Sequence, residues 1–230
     1  MLEKLKREVW QANLALVKYN LVILTWGNVS GIDRKRGLVV IKPSGVPYEE
    51  MKPEHMVVVD LQGKVIEGKL RPSSDTPTHL WLYKAWPGIG GVTHTHSTYA
   101  TMFAQAQRPL PCLGTTHADY FSGDVPVTRS LTKKEVEQDY EGNTGKVIIQ
   151  RFSRIKPEDI TAVLAANHGP FAWGKSPMDS VKNSLALEEV ARMAHGTLTL
   201  NPRTTSLPAH ILAKHWKRRH GPKATYGQSK

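Results

Sequence analysis

The sequence predicts a mixed α/β fold, and three observations carry that expectation. Apolar residues recur at helical spacing at both ends of the chain: Leu2, Leu5, Val9, Ala12, Leu16 and Tyr19 near the start, and Val181, Leu185, Leu187, Val190, Ala191 and Ala194 later. Short runs rich in β-branched residues lie between them, at 38–41 and 56–60. Gln62-Gly63 then marks a hairpin turn into a return strand at 64–67. At 230 residues the chain suits one medium domain, able to bury a core without cross-links.

Composition narrows the setting. The single cysteine, Cys112, excludes an internal disulfide framework and points to a reducing compartment. No apolar run reaches membrane-spanning length, and the charged, helix-like residues 1–10 do not read as a leader. A soluble, cytoplasmic protein with no membrane partner is expected. The net charge is +11, and much of the excess sits in Lys214, Lys217, Arg218, Arg219, Lys223 and Lys230. Such a surface suits nucleic acid or a phosphorylated small molecule. No stacking motif, zinc-finger spacing or helix-turn-helix signature accompanies the charge, so no nucleic-acid partner is expected.

Taken in order, residues 2–19 form an amphipathic helix. After the short apolar run 21–24 comes Thr25-Trp26-Gly27-Asn28-Val29-Ser30-Gly31, where the backbone turns or approaches something closely. The strand at 38–41 ends in Lys42-Pro43-Ser44-Gly45, either an ordinary loop or an anion cradle built from a charge and exposed N–H groups. Ser73-Ser74-Asp75 opens a helix containing residues 78–83, and Ser74 or Asp75 could be its N-cap. Capping is compatible with chemistry there, because helix N-termini favour anions.

Residues 90–99 hold His94-x-His96. On a strand both imidazoles would face one side, with Thr93 and Thr95 on the other. The pair reads as half of a divalent-metal site or as two strand histidines with local hydrogen bonds. Ser97 or Thr98 could cap a helix burying Ala100, Phe103 and Ala104. Residues 115–121 look less regular and carry His117 and Asp119. Residues 141–145 read as a glycine-rich turn leading into a helix at 146–152. The apolar run at 162–166 reads as a buried strand, ending at Asn167-His168-Gly169. A long helix at 178–198, capped by Ser176 or Asp179, a last helix at 207–219 and a short tail complete the chain.

Asp75, His94, His96 and His168 can be drawn around one metal ion. Imidazole and carboxylate donors suit Zn²⁺, with Mn²⁺, Fe²⁺ and Co²⁺ possible. The motifs Thr25-Trp26-Gly27-Asn28-Val29-Ser30, Lys42-Pro43-Ser44-Gly45, Pro72-Ser73-Ser74-Asp75-Thr76-Pro77-Thr78-His79, Thr93-His94-Thr95-His96-Ser97, Thr115-Thr116-His117-Ala118-Asp119 and Asn167-His168-Gly169-Pro170 together resemble the class II aldolase family, and within it the 4-epimerases of L-ribulose 5-phosphate. The resemblance runs nearly end to end.

It implies a three-layer α/β/α fold with a central, mostly antiparallel sheet, and a C4 homotetramer with a zinc site at each subunit interface. It implies Asp75, His94, His96 and His168 as metal ligands, with Mn²⁺ or Co²⁺ as possible substitutes for zinc. Phosphate contacts would come from Gly27, Asn28, Ser44, Gly45, Ser73 and Ser74, with Lys42 nearby. Asp119 and Tyr226 would be the acid/base pair, reaching the metal from the neighbouring subunit, so the tail 221–230 would complete that subunit's site. The aldolases that cleave fuculose or rhamnulose phosphates resemble this chain too, but typically carry Glu at the position of Asp75. The implied activity is metal-assisted cleavage and re-formation of C3–C4 in a ketopentose phosphate, in pentose catabolism. L-Arabinose is the expected source, although the same reaction serves ascorbate breakdown.

Overall fold

The computed structural model describes residues 2–221, Ala224 and Thr225. Seven strands form one sheet among the described residues: β1 (Asn28–Asp33), β2 (Leu38–Ile41), β3 (Val57–Asp60), β4 (Val65–Glu67), β5 (Gly91–His94), β6 (Ala162–Ala165) and β7 (Gly169–Gly174). Their order is β4-β3-β2-β1-β5-β7-β6, and every neighbouring pair is antiparallel. Seven helices accompany them: α1 (Glu3–Lys18), α2 (Thr76–Ala85), α3 (Thr98–Gln105), α4 (Thr115–Tyr120), α5 (Lys133–Arg151), α6 (Pro177–Leu200) and α7 (Ala209–His220). The α/β class and the antiparallel sheet agree with expectation.

Strand alternation sorts the layers. Val29 of β1 packs with Ala12, Ala15 and Leu16 of α1 and Val181 of α6. Its neighbour Ser30 points the other way and bonds His79 and Tyr83 of α2. In β2 and β3, Val40 and Val58 join Val9 of α1, whereas Val39, Val57 and Val59 join Leu80, Leu82 and Tyr83 of α2. Helices α1 and α6 therefore cover one face, and α2, backed by α5, covers the other.

Three local expectations are corrected. Residues 115–121 are regular, because 115–120 form α4. The glycine-rich stretch 141–145 is helix, not turn, and lies inside α5. That helix starts at a capping box, Thr132 with Glu135, and kinks at Asp139, whose carboxylate accepts from Gly142 N–H at 3.0 Å. Its glycines serve packing: a Cβ on Gly145 would stand 2.7 Å from Trp81 Cβ on α2. Gly145→Val should therefore lower stability by about 1–3 kcal/mol, the cost of forcing methyl groups into a packed contact. A thermal melt checks this, and an unchanged midpoint would contradict the contact. Lastly, Ser97 precedes α3 without capping it through its side chain; the Glu188 carboxylate of α6 accepts from Tyr99 and Ala100 N–H at 2.9 Å each.

Candidate active site

Three adjacent strands lay down the floor of the site. Asn28 at the start of β1 pairs with His94 at the end of β5, and His94 pairs with Phe171 of β7. The His94 ring stacks on Phe171 with centroids 4.2 Å apart and planes 17° from parallel. His94 Nδ1 donates to the Pro170 carbonyl at 2.9 Å, which leaves Nε2 with the lone pair. His96 lies past the end of β5, not on the strand as expected, yet its Nε2 comes within 3.1 Å of His94 Nε2. His168 sits in the tight β6–β7 hairpin, preceded by Asn167 at φ 62°, a left-handed position that asparagine tolerates. Asn167 is tied down by Gln107 and Ser130.

The three imidazoles offer nitrogens that all lie within 4.8 Å of one another. Nitrogens each about 2.0–2.1 Å from one tetrahedral zinc would be spaced by roughly 3.4 Å, so the cluster has the right scale for a metal. Two further observations fit. The 3.1 Å nitrogen pair turns two ring nitrogens toward each other, as ligands of one ion would be, and the buried His168 Nδ1 has no partner among the described residues. Burial, together with the His94 and His96 rings, pushes His168 down to about 3, and burial lowers His96 as well, so both stand as neutral donors. The residues present therefore fit a divalent cation.

Asp75 sits at the N-cap position of α2, but its carboxylate makes no capping bond. Instead Oδ2 accepts from Asn28 Nδ2 at 2.7 Å, beside the histidines but outside their compact group. Burial opposes charge on Asp75; the His94 and His79 rings and the Asn28 amide outweigh it and hold the carboxyl below the usual range.

These groups line a cavity of about 540 Å³, and so do Gly27, Asn28, Lys42, Ser44, Gly45, Ser73 and Ser74. Eleven of the thirteen expected site residues are thus brought together. The two loops of the cradle are zipped by backbone bonds, Ser44 N–H to Arg71 O at 2.9 Å and Ser73 N–H to Lys42 O at 3.0 Å. Gly27, at φ +73°, is confined: a Cβ would stand 2.9 Å from the His94 carbonyl oxygen. Lys42 is 2% exposed, meets, among the described residues, the carbonyls of Thr25 and Pro43 at 3.3 and 3.4 Å, and lies 4.8 Å over the Tyr48 ring. Burial, partly offset by Asp75, lowers its ammonium to about 8. An anionic ligand would give that cation the partner its surroundings lack.

Two expected residues are not there. Asp119 sits in the α4–α7 pair, outside the cavity, where Arg218 grips it through two bonds of 2.9 and 2.6 Å and His215 Nδ1 lies 3.2 Å away. Burial opposes its charge, but Arg218 and His215 outweigh it and hold the carboxyl below the usual range. Tyr226 lies outside the described residues. Conversely, Tyr140 and Glu141 line the cavity unforeseen: Glu141 falls in the stretch 141–145 expected to be a turn, and Tyr140 directly precedes it. The capping box at Thr132 was the signal that could have found them.

The profile of the Class II Aldolase and Adducin N-terminal domain matches residues 7–195. This chain belongs to the class II aldolase family. The L-ribulose-5-phosphate 4-epimerase UlaF of Salmonella paratyphi B is 56% identical over 227 residues, covering 99% of this chain and 100% of the relative. Among solved structures, an L-fuculose 1-phosphate aldolase superposes with a TM-score of 0.79 at 29% identity, over 94% of this chain and 95% of its own. YgbL of Klebsiella pneumoniae, described as a putative aldolase/epimerase/decarboxylase, gives 0.73 at 26%, over 93% and 99%. The class II aldolase fold thus accounts for the sheet and helices, and class II aldolases are typically metal-dependent, in keeping with the histidine cluster. No helix among the described residues is long and apolar enough to cross a membrane.

Proposed function

We propose that this chain is an L-ribulose-5-phosphate 4-epimerase, interconverting L-ribulose 5-phosphate and D-xylulose 5-phosphate. The observation that carries the reading is the end-to-end 56% identity to an epimerase, in a chain whose acidic residue beside the histidines is Asp75, not Glu. The metal we assign is Zn²⁺, held by His94, His96, His168 and Asp75, with Mn²⁺ or Co²⁺ able to substitute; three imidazoles and a carboxylate are its preferred donors. When bound, the cation supplies the Lewis-acid charge that carbon–carbon cleavage next to a carbonyl needs.

The chain's own residues do the rest. Ser44, Gly45, Ser73, Ser74, Gly27 and Asn28 hold the phosphate, and Lys42 supplies its counter-charge. One acid/base group takes the proton of the C4 hydroxyl. The C3–C4 electron pair moves onto C3, leaving the enediolate of dihydroxyacetone and glycolaldehyde phosphate. The aldehyde turns while its phosphate stays held, C3 adds to its other face, and a second group on that side returns a proton to the C4 oxygen. Asp119 and Tyr226 are assigned these two roles. Arg218 and His215 keep Asp119 ionised, as a base requires. Asp119 does not line the cavity of its own chain, so we assign it to the cavity of a second copy, as intersubunit sites in a C4 homotetramer would have it. One domain over residues 1–230, its tail reaching the neighbour, and a cytoplasmic setting belong to the same proposal.

Lys42→Met should raise KM about 10–100-fold and leave kcat nearly unchanged, since a charge-assisted phosphate contact is worth about 1.5–3 kcal/mol in both ground and transition states. Steady-state kinetics decide it; an unchanged KM would remove Lys42 from phosphate recognition. The same lysine sets a pH limit. Its ammonium is lowered to about 8 in the free protein, so it carries charge below that pH and loses it above. kcat/KM should then fall as pH rises through about 8. Aldolase and epimerase are separated by product: L-ribulose 5-phosphate should yield D-xylulose 5-phosphate without free aldehyde, whereas cleavage of L-fuculose 1-phosphate would make the chain an aldolase.

A further inference from the structure

Under the metal cluster lies a fourth histidine that none of the foregoing roles uses. His79 of α2 is fully buried between the helix and the sheet. Its Nδ1 lies 2.7 Å from Ser30 Oγ, and Ser30 Oγ lies 2.9 Å from Tyr83 Oη. Tyr83 is buried too. The phenol proton has no other acceptor among the described residues, so the phenol donates to Ser30 Oγ, and the Ser30 hydroxyl donates to His79 Nδ1. The His79 proton must then sit on Nε2. That atom is buried and has no hydrogen-bond partner among the described residues.

A buried donor left unpaired is costly, and native proteins rarely keep one that has no use. Asp75 stands one helical turn before His79, with the His79 backbone N–H bonded to the Asp75 carbonyl at 3.2 Å, so the two side chains share a face of α2. One Asp75 oxygen is engaged by Asn28. His79 also packs edge-on against Phe171 at 6.1 Å, the same ring on which His94 stacks.

We propose that His79 is the positioning residue of the metal centre, its Nε2–H held by the Tyr83–Ser30 relay to fix the Asp75 carboxylate as that carboxylate turns to the cation. The inference rests on the metal reading above and extends it beneath the ligands. Outer partners that orient metal ligands typically contribute 10–100-fold in metal affinity, about what this relay should supply.

The test measures Zn²⁺ affinity by chelator competition, and the visible spectrum of the Co²⁺-loaded protein, for wild type, Ser30→Ala, His79→Gln and His96→Asn. Ser30→Ala keeps the ring and frees only its tautomer, so it carries the test if His79→Gln does not fold. Expected are a loss of about 10–100-fold in affinity and a shifted Co²⁺ spectrum in Ser30→Ala, which stays folded in the metal-free state with a somewhat lower melting temperature. Wild-type affinity and spectrum in folded Ser30→Ala or His79→Gln, with His96→Asn defective, would overturn the role of His79 while leaving the metal site standing. No metal uptake by wild type would instead remove the site itself, and this inference with it.

Discussion

Replacing His96 with Asn should leave the protein folded and strip it of metal. The residue is exposed at the cavity, outside the hydrophobic core, and its ring lies against those of the other histidines and Trp26, so little stability depends on it. Its loss leaves two imidazoles where three converged within 4.8 Å. Affinity should fall by more than the about 10–100-fold that loss of an outer-shell partner costs, because here a direct donor goes. Turnover should drop at least about a hundredfold, since Lewis-acid stabilisation is worth several kcal/mol. Metal content after dialysis checks the first part and initial rates the second. Full metal retention would mean that the cluster is not the metal site.

Asp119→Asn is the second large effect. The substitution keeps size and shape, and an amide oxygen can still accept from Arg218, so the α4–α7 contact should survive. Turnover should fall by about 10²–10⁴, the usual range for a lost acid/base group, with KM little changed. The position of Asp119 outside its own cavity makes a further outcome decisive. Mixed with the His96→Asn protein under conditions that exchange subunits, the inactive variant should regain activity, because in a cyclic tetramer roughly a quarter of the interfaces join an intact metal site to an intact Asp119. No recovery would argue for a site within one chain. Tyr226→Phe in place of Asp119→Asn should behave alike.

Much of this was legible in the sequence, for physical reasons that also explain the omissions. The period of Leu2 to Tyr19 and of Val181 to Ala194 is a property of helices packed on a sheet, and α1 and α6 appear where it pointed. The cradle residues were legible only through the motif resemblance, because a hydroxyl or basic side chain next to glycine at a strand end serves an ordinary loop just as well. Convergence in space was legible through the whole set of motifs and not locally: nothing near either residue says that a hairpin residue, His168, meets a strand-end residue, His94. Glycine misled the reading at 141–145, because it signals a turn in isolation but close helix packing when another helix lies against it, as Trp81 does here. His79 hid for the opposite reason. A histidine at helical spacing among apolar residues looks like core, and only the bonds to Ser30 and the bare Nε2 set it apart.

The central claim is a metal-dependent epimerisation at C4, and one assay tests it most directly. Chelator-treated protein is given L-ribulose 5-phosphate, and D-xylulose 5-phosphate is followed by a coupled reaction before and after addition of Zn²⁺ or Mn²⁺. The account predicts no product from the stripped protein and D-xylulose 5-phosphate once metal returns. Folded, tetrameric protein that makes none with any metal would contradict it and point to an aldolase acting on another sugar phosphate.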